Sequence, residues 1–204
     1  MENTTPDDIQ VKSNVENLEL YSDNYPFRLS LRIKNFESEV DYKRFIKNCE
    51  STIRKSIEYK LWRNYIVDIL QVNSCMITGE IMGEVSIDVH HHLPGLYMLV
   101  ASIVNKKLDK DEEFCTFDIC QDAIKLHFMN KIGYVTLLKS MHEKFHNGFL
   151  SIPIDLVRGD YKYFIDNYSK YLDDDQLETI EGRLSINHSN CIWTKDSYAA
   201  VGGS

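Results

Sequence analysis

The sequence predicts an α+β fold, and three observations lead there. Residues 84–89, Glu-Val-Ser-Ile-Asp-Val, alternate polar and apolar with the period of a half-buried strand. Apolar residues between 45 and 66, and again between 135 and 145, return at helical spacing. With 43% hydrophobic and 26% charged residues, the 204-residue chain can bury one sizeable core, or a core plus a small appendage.

In chain order, residues 1–24 carry six acids against one base and read as a loosely packed polar arm. Residues 25–72 come next. Phe27-Arg28-Leu29-Ser30-Leu31-Arg32-Ile33-Lys34 alternates apolar with mostly basic residues, as a strand with a cationic outer face does. Residues 41–70 then read as one long helix, with Phe45, Ile46, Cys49, Ile53, Ile57, Leu61 and Ile66 on its apolar side. Between Lys43 and Arg63 its bases Lys43, Arg44, Lys47, Arg54, Lys55, Lys60 and Arg63 stand against only Glu50 and Glu58. A solvated face and a phosphate-contacting face both fit such a run. Residues 73–150 carry the readable chemistry. Within them, about 95–131 is too long for a structureless loop and reads as an insertion of two helices, 96–104 and 117–130, around a charged turn at 106–113. His127 in the second of these reads as a packing or surface residue. Residues 151–204 read as a mainly helical extension. A short apolar strand at 149–156 leads into it, helices follow at 161–171 and 175–184, and Asp175 serves as an N-cap.

No apolar run approaches the roughly 18 residues of a membrane span, and the polar, acidic start does not fit a signal peptide. Five cysteines without a C-x-x-C pair point to reduced thiols and the cytoplasm. The net charge of −8 argues against nucleic acid, but the acid is at the ends: residues 25–150 hold sixteen acids and seventeen bases.

Five of the seven histidines fall in two clusters. Val135, Leu138, Met141 and Phe145 predict a helix that sets His142 and His146 one turn apart on one face, where two imidazoles can grip one cation. Such a pair is equally at home on a solvated helix face. The other cluster, His90-His91-His92 after a strand, offers a third ligand from a second element, which makes an open metal site. In an extended strand His90 and His91 point apart, while His90 and His92 share a face with Asp88. On local geometry alone His92 also faces the metal, or the ligand and its neighbour shift to His91 and His92.

Val89-His90-His91 with Pro94 three residues on, followed by Val135-Thr136-Leu137, Ser140, His142-Glu143-Lys144 and His146-Asn147-Gly148, resembles the HNH (ββα-metal, His-Me finger) endonucleases, including phage-encoded members. Cys75-Met76-Ile77-Thr78-Gly79 resembles that family's lead into its first strand. The resemblance implies a ββα-metal core, cleavage of DNA phosphodiester bonds, and one divalent ion (Mg, Mn, Zn or Ni) on His90, His142 and His146. It makes His91 the general base. The H-H-x-x-P spacing then leaves His92 without a chemical role. The motif asparagine falls at Gly133, so either Gly133 turns the loop without it or Asn130 braces it from an offset position. The knuckle cysteines of many members fall at Cys75, Thr78, Leu138 and Met141, of which only the first is present, so apolar packing and no structural zinc is expected. With the basic helix, Lys139 and Lys144 complete the candidate DNA contacts. The alternative is a degenerate module that binds metal or a protein partner without cutting, and either reading is compatible with a homodimer or a protein partner.

Overall fold

The computed structural model of the chain describes residues 36–83 and 85–191. The expected arm at 1–24, the strand at 27–34 and the last residues of the extension, 192–204, lie outside them. Among the described residues there are seven α-helices and one two-stranded antiparallel sheet, a mixed α and β architecture.

Helix α1 (Glu39–Lys55) opens on Ser38, whose hydroxyl accepts from the Asp41 N–H at 3.1 Å. It buries Phe45, Ile46, Cys49, Thr52 and Ile53. The long helix expected over 41–70 is in fact broken at Ser56. That residue is extended (φ −71°, ψ 154°); its hydroxyl donates to the Ile53 carbonyl and accepts from the Tyr59 N–H, so one side chain ends α1 and starts α2 (Ile57–Asn64). A serine costs little inside an apolar repeat, so the periodicity runs through the break unmarked. A turn of π-helix, Tyr65–Ile69, follows.

Trp62 anchors α2. It is 2% exposed and packs on the rings of Tyr59, His91, His127 and Tyr134. Trp62→Ala is expected to cost about 3–5 kcal/mol through lost burial and the cavity left behind, read from chemical denaturation. A cost below about 1 kcal/mol would mean that α2 is not anchored there.

Strand β1 (Ile87–Leu93) begins later than the alternating stretch and runs through all three histidines, and Pro94 follows its end. It pairs with β2 (Gly133–Leu138) from Ile87 opposite Leu138 to Leu93 opposite Gly133, with an irregularity at His92. The connection between them holds α3 (Leu96–Asp109) and α4 (Thr116–Phe128), the two expected helices; α3 continues into the charged turn. Val135 and Leu138, expected to be helical, lie in β2, and α5 is only Lys139–His146. Pairing with β1 overrides a spacing that suits either element.

Two clusters fill the interior. One joins α1, α3 and α4 to Trp62, Phe164 and Ile180. The other joins Cys75, Leu138 and Met141 to Ile87, Val135, Leu137, Leu150, Ile152 and Val157, with Thr78 8% exposed beside it. Three of the four knuckle positions are thus apolar packing. Residues 149–153 form no strand; Leu150 and Ile152 are buried, and Pro153, which has no N–H to give a ladder, leads into a 3₁₀ turn, Ile154–Leu156. Helices α6 (Tyr161–Tyr168) and α7 (Asp174–Leu184) complete the fold, and Asp173, not Asp175, caps α7, accepting from the Gln176 N–H at 2.8 Å. Among the described residues no disulfide joins any of the five cysteines. No helix among the described residues is long and apolar enough to cross a membrane.

Candidate metal centre

His90 leaves β1 on the side facing α5, where His142 and His146 follow each other by one turn. Nδ1 of His90 lies 2.8 Å from Nε2 of His142, and Nε2 of His146 lies 2.9 Å from that same atom. The three potential ligand atoms are all within 4.8 Å of one another. Two residues before His90, and so on the same strand face, Asp88 places Oδ2 3.2 Å from Nδ1 of His142. A carboxylate there accepts a hydrogen bond from Nδ1–H, which leaves Nε2 with its single lone pair. One lone pair cannot serve the two nitrogens crowding it. One cation among three lone pairs can, so the donor set fits a divalent ion.

Burial favours the neutral imidazole at two of the three ligands. Burial, reinforced by the neighbouring His142, His92 and His146, pushes the His90 pKa down to about 2. Burial and then His142 lower that of His146. A cavity of about 520 Å³ opens on the triad. Its wall includes Arg54 of α1, Gly95 and the first turn of α3, Phe145 of α5, and Gln176 and Arg183 of α7.

A family model described as Bacteriophage G278-like virion protein matches residues 3–196. The chain belongs to that family. Its origin is therefore phage. Compared with curated proteins and with solved structures, the chain matches none. The description of the G278-like family names a virion protein and no nuclease.

In this member of the family His91 lies on the other side of β1, stacked against Tyr59 and Trp62, which also touch each other, and 4% exposed. The Nδ1–H of His127 donates to the Ala123 carbonyl at 2.6 Å, so its Nε2 accepts from His91 Nε2–H at 2.7 Å. Nδ1 of His91 is left facing the Tyr59 hydroxyl at 3.4 Å. Burial and then His127 hold the His91 pKa well below the ordinary value. His127 is thus a packing residue. His92 is fully buried beside Phe145, with neither ring nitrogen partnered.

The basic residues scatter. Arg54 alone of the candidates on α1 and α2 lines the cavity, and it is paired with Glu50 at 2.9 Å. Arg63 reaches Asp88 at 3.4 Å, and Lys43 reaches Glu39 at 2.6 Å. Arg44, Lys47, Lys55, Lys60 and Lys139 are exposed away from the cavity lining, and Lys144 is half-buried. Arg183, which also lines the cavity, carries no local sequence signal. Asp88 was legible only as a neighbour of the histidines on their face.

Gly133 opens β2 where a Cβ would meet the Leu93 carbonyl at 2.7 Å and Tyr161 and Val157 at 2.9 Å. No asparagine fits. Asn130, left-handed at φ 57°, braces a different loop, its carbonyl accepting from the Asp160 N–H at 2.8 Å. Restoring the motif with Gly133→Asn is expected to destabilise the fold by about 3 kcal/mol, because the obstruction is backbone as well as side chain. Thermal unfolding checks this, and an unchanged midpoint would contradict the packing.

Proposed function

We propose that the chain is a divalent-metal-dependent endonuclease of the HNH kind that hydrolyses DNA phosphodiester bonds. The observation that carries this is the convergence of His90, His142 and His146, from a strand and a helix, on a cavity that also holds Arg54 and Arg183. The order β1, β2, α5, with α5 following β2 directly, supports a ββα-metal scaffold. A divalent cation on these imidazoles supplies Lewis acidity toward a phosphate oxygen and lowers the pKa of a bound water. The protein's own groups divide the remaining work. Asp88 keeps His142 aimed, the uncharged ligands leave the cation's full charge for phosphate, and the two arginines favour an anion. The motif's base is His91: its Nε2–H is committed to His127, so Nδ1 would take the proton, and both the Tyr59 hydroxyl and the turn of the ring away from the triad must change for it to reach the attacking water. The family's designation supports the phage particle, rather than the cytoplasm, as the setting.

A second reading, a metal-binding module that does not cut, is favoured by the enclosure of His91 and by the glycine at 133. Nicking of supercoiled plasmid with Mg, Mn, Ni or Zn separates the two. Metal-dependent nicking by the wild type, lost in His91→Ala with metal affinity retained, is the expected result. Metal binding without nicking under all four ions selects the second reading.

A further inference from the structure

We propose that Arg183 and the first turn of α3 form a phosphate subsite beside the three histidines, holding a phosphate group of a nucleic-acid strand. The inference rests on the nuclease reading for its substrate and on separate residues for its geometry. One Arg183 nitrogen donates to the His92 carbonyl, and the guanidinium lies 5.7 Å from the Phe145 ring centre. Among the described residues no carboxylate pairs with it. Burial lowers its pKa, the mark of a cation short of solvation and of a counter-charge. An arriving anion removes that deficit.

The second half of the subsite is backbone. Gly95 caps α3 with no side-chain hydrogen bond, and Gly95, Leu96, Tyr97 and Met98 line the same cavity. The first N–H groups of a helix have no partner within it and carry partial positive charge. Nothing in the backbone demands glycine there: φ −65° and ψ 153° suit any residue, and a Cβ would meet only Arg183 Nη1, at 3.9 Å. A capping serine or aspartate would fit. Its absence leaves the N–H groups open and next to the guanidinium. His90, more than nine-tenths buried with Nε2 unpartnered, lines the same cavity. Glu50, an acid in its wall, is already neutralised by Arg54.

The test exploits the cap. Gly95→Asp supplies a carboxylate that takes both the N–H groups and Arg183, and it stabilises the helix while it blocks an anion. Inorganic phosphate and a short single-stranded oligonucleotide are titrated calorimetrically into the full-length protein stripped of metal by chelation. Wild type and Gly95→Ala are expected to bind both, and Gly95→Asp and Arg183→Gln to lose about tenfold or more in affinity for both. The Gly95→Asp melting temperature should be equal to or above that of the wild type, so its loss of binding is not a loss of fold. Unchanged affinity for either probe in Gly95→Asp, or no phosphate binding by the wild type, overturns the proposal. Because no cleavage is measured, a failure of nicking with phosphate binding intact counts against the nuclease reading alone.

Discussion

Acidifying the metal-free protein from pH 7 to pH 5 is expected to unfold it. Four histidines are buried in uncharged form: His90, His91, His92 and His127 are all 8% exposed or less. Burial is the first cause of each lowered pKa, to about 2 for His90, about 3 for His92 and about 4 for His127, with His91 well below its ordinary value. A histidine whose folded pKa lies below its unfolded value binds more protons when unfolded, so its contribution is intact above about pH 6.5 and is lost as pH falls. At pH 5 each such group costs about 2 kcal/mol, and four together up to roughly 8 kcal/mol, against a typical total stability of about 5–15 kcal/mol. Circular dichroism against pH in the presence of chelator should show a transition between about pH 6 and pH 4. A divalent ion binds the neutral imidazoles of the folded state and should move that transition to lower pH. A chelated protein still folded at about pH 4 would mean that these imidazoles are hydrated or already charged in the native state.

His142→Ala is expected to weaken divalent-metal binding more than 100-fold, the largest loss of any single substitution at the site. Its Nε2 is the atom that both His90 and His146 approach, so its removal takes out the central ligand and leaves only two imidazoles from different elements. Asp88→Asn retains the ligands and loses only the carboxylate behind His142, for which about 10–100-fold is the expected cost. Calorimetric titration of Zn or Ni into the three proteins orders them as wild type, Asp88→Asn, His142→Ala. Equal losses in the two variants would make Asp88 a ligand instead of a support, and no loss in His142→Ala would remove the centre itself.

Where the relevant geometry is local, spacing along the chain was enough. A four-residue interval put His142 and His146 on one face of α5 even though the helix begins four residues later than its apolar repeat suggests. The alternation of an extended strand put His90 and His91 on opposite sides of β1, and two residues of separation put Asp88 with His90. The two-helix insertion between the strands was visible because helices of that length need an apolar repeat of their own. What long-range packing alone decided is the environment on each side. A pleat turns His91 away from the triad, but only the folding of α2 and α4 onto β1 determines that it meets Tyr59, Trp62 and His127 and not water. Arg183 reaches the same cavity from 91 residues beyond His92, and Gly133 is required because Leu93, Val157 and Tyr161 close over it from three different segments. Backbone period specifies the direction in which a side chain leaves its own element. Its burial, its partners and its pKa belong to whichever distant segments pack against that direction, and those contacts have no signature in the residues beside it.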